Sequence, residues 1–293
     1  MHPIHGLLQN LRPYDFPGSE RIRLGPEYDG GYVLLDESLK DVEVVYSYGV
    51  ETNSDFELRF CESYNAIARL YDHTVEEAPL KRDFFYFNKE GVGPEKTSNC
   101  NTIGSHIKEN GDDGKQLLLK MDVEGAEWDA LLQTPDSVLK LFNQIAIEVH
   151  GLGTELSRVQ IYKKIKVFQK INNLFYLFHV HANNYSPLHY IDGFKVPDVM
   201  ELTFINKKYF NHAEYSSTIF PTEVDQPNNS NREDTKLYFW PFYPGTIPHI
   251  KNIVQQKGIS GWVEILSVLS GNLERVIKSM LIRFGLRRAT SHS

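Results

Sequence analysis

Between residues 42 and 205, short runs of β-branched and aromatic residues alternate with segments of helical spacing, and this alternation restricts the fold more than any single motif does. The runs fall at 42–48, 66–71, 84–87, 117–121, 144–149, 175–180 and 199–205. Such short apolar runs are the texture of strands covered on both faces. Segments 54–63, 102–110 and 155–171 read as crossover helices, the first opening on Ser54 and carrying Phe56, Leu58 and Phe60. The expectation is an α/β fold with a doubly wound sheet of seven mostly parallel strands and helices on both faces. Its ligand crevice should lie at the carboxyl ends of the strands.

A chain of 293 residues, 41% of them hydrophobic, has room for one large α/β core with a small appendage. The division read from texture is a main domain at 1–215, a polar loop and aromatic segment at 216–250, and an amphipathic helical extension at 251–293. The opening MHPIHGLLQNLRPYD lacks a basic start followed by an apolar run, and no stretch approaches the roughly 20 apolar residues of a membrane span. Cys61 and Cys100 are the only cysteines, outside any disulfide or zinc spacing. A cytoplasmic protein is expected, in which the sequons at Asn184 and Asn228 are silent. The net charge of −7, with no basic stripe, argues against nucleic acid and for a small or neutral partner.

Several motifs carry chemistry. The first strand runs into YSYGVETNSDFE, a small-residue turn before a helix that leaves backbone N–H groups facing a ligand, with Gly49 permitting close approach. The second ends in YDHT, which sets Asp72 at the distance where an acid meets ribose hydroxyls; the competing role is a local cap. The fourth, LLLKMDVEGAEWDAL, delivers Asp122 and Glu124 to the same edge, with Glu124 and Glu127 also suited to a helix N-terminus. Glu148 and His150 share a face in QIAIEVHGL, as do His179 and His181 in FHVHANNY, ahead of Asn183. Asp122, Glu148, His150 and His181, with Asn183, supply the oxygen and nitrogen donors that Mg²⁺, Mn²⁺ or Fe²⁺ accept. The alternative is that the histidines are satisfied polar residues or metal-free general bases.

Taken together, KMDVEGAEW, YSYGVETNSDFE, YDHT, IEVHGL and HVHANNY resemble the FkbM-type methyltransferase family over roughly residues 21–206. The resemblance implies a Rossmann-like methyltransferase fold, S-adenosyl-L-methionine as cofactor and a hydroxyl of a sugar or glycosylated small molecule as acceptor. By the same resemblance Tyr48 and Gly49 lie beside methionine and ribose, Asp72 binds the ribose, Asp122 lies by the methyl group, and FNKEGV at 87–92 borders adenine. Glu51, His73 and Glu124 complete the implied cofactor contacts. The chain departs from many methyltransferases in having one glycine in the first turn, and everything beyond Asn206 lies outside the resemblance. RLGPEYDGGYVLLD, with Asp29, Gly30, Gly31 and Tyr32, also resembles one branch of the family and reads as a turn into an edge strand.

The catalytic expectation is that His150 or His181 takes the acceptor proton, or that Mg²⁺ or Mn²⁺ near Asp122 lowers the hydroxyl pKa. The rivals are a nicotinamide-dependent oxidoreductase, disfavoured by the missing G-x-G-x-x-G, and a non-catalytic glycan-binding module. The polar stretch 221–236 reads as a loop, lid or disordered insert, and Leu237 with the aromatics Tyr238, Phe239, Trp240, Phe242 and Tyr243 as core packing before a sugar-stacking wall. In the last segment Arg275, Lys278, Arg283, Arg287 and Arg288 face only Glu274, which suits docking onto the domain or a second copy in a homodimer, and less readily an anionic membrane.

Overall fold

Seven strands form one sheet: β1 Val44–Tyr48, β2 Ile67–Tyr71, β3 Phe85–Asn88, β4 Leu117–Met121, β5 Phe142–Val149, β6 Phe175–Ala182 and β7 Met200–Asn206. The computed structural model describes residues 3–243, so the segment at 251–293 and its basic residues lie outside the described residues. Across the sheet the order is β6-β7-β5-β4-β1-β2-β3. Every neighbouring pair is parallel except the two that involve β7. This is the Rossmann-like, mostly parallel seven-stranded sheet expected from the sequence. The chain winds outward through β1, β2 and β3, then returns to lay β4 and β5 on the other side. The two directions part between β1 and β4, the switch point at which open α/β sheets bind ligands.

Helices α1 Pro3–Gln9, α2 Asp55–Tyr64, α3 Ile103–Glu109, α4 Glu127–Gln133, α5 Asp136–Leu139 and α6 Arg158–Leu174 cover the sheet. Strand side chains alternate, so Tyr46, Tyr48, Leu119, Met121, Ile145 and Ile147 pack with α1, α3, α4 and α6 in the larger core. Val45, Leu118 and Ala146 face the other way, against α2 and the hairpin Arg21–Leu24/Tyr32–Leu35. The long helix starts three residues later than the spacing suggests because the Ser157 hydroxyl accepts from Gln160 N and caps it. Glu155 instead turns back to Lys164, 3.2 Å away.

The stretch 221–236 has no regular secondary structure but is firmly pinned. Asp225 bonds His179 at 2.8 Å, Asp234 bonds His181 at 3.0 Å, and Asn228 donates to Glu201 at 2.6 Å. Having few apolar residues to bury, this loop is ordered by polar pairs against the strand face, which corrects the disordered-insert alternative. Its Asn228 and the neighbouring Asn184 are buried, so neither sequon is presented on the surface. Leu237, Tyr238, Phe239 and Phe242 are buried and Trp240 stacks on His5 at 4.7 Å, the packing role preferred from sequence. Among the described residues no helix is long and apolar enough to cross a membrane.

Candidate functional site

The site is built where β1 meets β4. Gly49 has φ of 78°, and a Cβ there would stand 1.7 Å from the Asp122 carbonyl oxygen, so only glycine allows the turn to lie against the fourth strand. Asp122 N donates to Tyr48 O at 2.9 Å, and Lys120 Nζ donates to Gly49 O at 2.5 Å. Asp72 holds the turn from the other side. Its Oδ2 accepts from Val50 N at 3.1 Å and Glu51 N at 2.9 Å, and its Oδ1 from Thr74 N at 2.8 Å and Thr74 Oγ1 at 2.6 Å. Burial works against the charged form, yet these bonds outweigh it and hold the Asp72 pKa below the usual value. These bonds occupy its lone-pair positions, so Asp72 anchors the turn, the local role weighed against a ribose contact. The Tyr48 side chain stacks on Tyr71, its hydroxyl 3.1 Å from His106 Nδ1, and Tyr48 lines neither of the cavities beside the turn.

Two cavities adjoin this turn and share Gly49, Glu51, Asp122 and Glu124 as walls. The smaller, of 150 Å³, is closed by Asp72, His73, Gly91 and Val92, the last two within the stretch expected to border adenine. The larger, of 470 Å³, is lined by Asp29, Lys120, Glu148, His150 and Asn183.

His150 sits at the centre of the acids. Its Nε2 is 3.3 Å from Glu148, 3.5 Å from Glu124 and 3.9 Å from Asp122, and its Nδ1 is 3.4 Å from Glu127. The segment EGAEW explains its position: Glu127, fully buried, accepts from His150 N at 2.9 Å, and Trp128 Nε1 donates to His150 O at 3.1 Å. Burial pulls the imidazole pKa down, but the bonds to Glu127 and Glu148 reverse this and raise it to about 11. Burial pushes Glu148 up to about 7, with Asp122 and Glu201 adding to the rise against the pull of His150. Asp122 is raised by burial as well.

His181 does not join this group. Strand β7 lies between β5 and β6, so the cross-strand row runs Glu148, Glu201, His181, and the imidazole is spent on Glu201 at 2.9 Å and Asp234 at 3.0 Å. Both of its proposed roles, base and metal ligand, are therefore corrected. Asp122, Glu148 and His150 do come together, each offering a ligand atom within 4.8 Å of the others, and Asp29, Glu148 and Glu201 do the same. Glu201 was overlooked although it is the lone acid in the buried run MELTFIN. Asp29, from the DGG turn, had no local signal for its place beside β5. The donor set is carboxylate oxygen with one imidazole, chemistry that suits Mg²⁺ or Mn²⁺.

No family model and no curated protein matches the chain. Among solved structures it is similar to the fibrillarin/Nop5p complex, with 12% identity, a TM-score of 0.35 and coverage of 57% of this chain and 73% of that one. It is similar also to the Methanococcus jannaschii fibrillarin pre-rRNA processing protein, with 13% identity, a TM-score of 0.34 and coverage of 58% and 68% respectively. Likeness at this level carries nothing about function.

Proposed function

We propose that this chain is an S-adenosylmethionine-dependent methyltransferase that methylates a hydroxyl of a sugar or glycosylated small molecule, with a divalent cation held by Asp122, Glu148 and His150. The observation that carries this reading is the pair of cavities joined at the sheet's switch point, one narrow and one broad, with Asp122 in their common wall. At 150 Å³ the smaller falls short of the roughly 300–1,000 Å³ of ligand pockets, so a cofactor held there would also need space from the larger.

Gly49, Glu51, His73, Gly91 and Val92 are the residues that would hold it. S-adenosylmethionine supplies a methyl group on a sulfonium cation, and Glu51, Asp122 and Glu124 along the common wall favour positive charge there. The acceptor occupies the larger cavity. Methyl transfer requires alignment and removal of the acceptor proton. Asn183, which donates to Glu148 at 3.3 Å, fixes that carboxylate, while Glu127 and Trp128 fix His150. Asp122, Glu148 and His150 would hold a Mg²⁺ or Mn²⁺ ion, which would supply Lewis acidity toward the hydroxyl.

Isothermal titration of the full chain with S-adenosylhomocysteine and with NAD tests the cofactor. Binding of the first and not the second is expected, and the reverse would sink the reading. Transfer of radioactive methyl to extracted glycans, lost in EDTA and restored by Mg²⁺ or Mn²⁺, tests acceptor and metal; EDTA-insensitive transfer would remove the metal.

A further inference from the structure

A third cavity, of 390 Å³, lies at the opposite end of the sheet, between the start of β6, the second half of α6, α1 and the short pair Tyr14–Asp15/Glu214–Tyr215. Tyr176 in its wall is five residues along β6 from His181, about 16 Å at a rise of about 3.3 Å per residue. It is therefore separate from the site described above.

Its lining contains no Asp or Glu but two cations, Arg12 and Lys207. Neither forms an ion pair with a carboxylate among the described residues. Aromatic rings hold them instead: the Arg12 guanidinium lies 3.6 Å from the Tyr215 ring centre and the Lys207 ammonium 4.8 Å from that of Tyr176. Tyr14 ties these rings together, stacked on Tyr215 at 4.8 Å and tilted against Tyr176 at 5.1 Å. A ring orients a cation without cancelling its charge, as a carboxylate would. Partial burial pulls the Lys207 pKa down, and Arg12 is exposed, so both cationic groups are open to an incoming anion. In a chain of net charge −7, an open cavity lined by two cations and no carboxylate is a local reversal of sign. Gln9 and Gln169 complete the wall with carboxamides that can donate to and accept from hydroxyls.

We propose that this cavity binds a polyhydroxylated small molecule bearing an oxyanion, a sugar phosphate or a sugar acid, with Arg12 and Lys207 on the oxyanion and Gln9 and Gln169 on the hydroxyls. The site stands whatever reaction the opposite end performs.

Isothermal titration of the full chain with glucose 6-phosphate, glucuronate, glucose and inorganic phosphate tests it. At least one charged sugar should bind about tenfold or more tighter than glucose, and which one does so separates phosphate from carboxylate. That affinity should weaken with salt and fall about tenfold or more in Arg12→Gln and in Lys207→Gln. Lys166→Gln, on the exposed side of α6, and Glu148→Gln, at the other end of the sheet, should leave it unchanged. Thermal unfolding of each variant checks that the fold is intact. The proposal is overturned if both charged sugars bind no tighter than glucose, if the Arg12 and Lys207 variants keep wild-type affinity, or if Glu148→Gln abolishes binding. Inorganic phosphate binding as tightly as glucose 6-phosphate would overturn the assignment of a sugar body.

Discussion

The two ends of the sheet hold charge in opposite ways. At the carboxyl end, Asp29, Glu51, Glu57, Asp122, Glu124 and Glu148 line a cavity against Lys120 and His150. At the other end a cavity of similar size contains Arg12 and Lys207 and no acid at all. The net charge of −7 describes neither. Crowded buried carboxylates raise one another's pKa and are relieved by a cation; cations cradled on tyrosine faces keep their charge and attract an anion. Each cavity is thus suited to a ligand of opposite sign, and the contrast can be broken one end at a time.

The largest expected effect is at the acidic end. Asp122→Ala or Glu148→Ala should lower methyl transfer by about 10²-fold or more while leaving the affinity of the Arg12–Lys207 cavity for anionic sugars unchanged. Parallel rate assays and titrations would show it, and a loss at both ends would mean that the two are not independent. Gly49→Ala comes next. With a Cβ placed 1.7 Å from the Asp122 carbonyl, the turn and the end of β4 cannot both keep their positions. Denaturant unfolding should report a loss of about 3 kcal/mol, with S-adenosylhomocysteine binding lost and the far cavity intact.

His181→Gln distinguishes a strut from a base. As a strut between Glu201 and Asp234 it should cost about 2 kcal/mol of stability, with the rate per folded molecule unchanged. A fall of about 10²-fold in that rate would restore its catalytic role. The same contacts set a pH window for the loop 221–236. Burial disfavours the charged form of His181, but Asp234 and Glu201 reverse this and raise its pKa well above 6.5, so its contribution is full below that value and is lost as pH rises. Burial acts against Asp225 as well, but His179 outweighs it and lowers its pKa below 3.8, so its contribution is full above that value and is lost as pH falls. Amide exchange should find the loop best protected near pH 5 and less so at pH 9. The smallest effect is expected at Glu51, whose exposed side chain borders both cavities; Glu51→Gln should weaken S-adenosylhomocysteine binding about threefold, read by titration.

Local spacing was enough to place all seven strands and three crossover helices within a few residues, because strand and helix periodicities are properties of adjacent residues. It also placed Asp122, Glu148 and His150 on one edge, since each ends a strand and parallel strands end together. What it could not supply is which strands are neighbours. Insertion of β7 between β5 and β6 removed His181 from the group and brought in Glu201. A hairpin from far upstream delivered Asp29, and a polar loop from far downstream occupied Nε2 of His181 while Glu201 took Nδ1. Arg12 and Lys207, separated by most of the chain, share a wall only because β6 and α6 bring their segments together. The sequence by itself determined the elements and the residues at their ends. Partnership among those residues depends on strand order and long-range packing, which no local periodicity encodes, so it was decided by the tertiary structure alone.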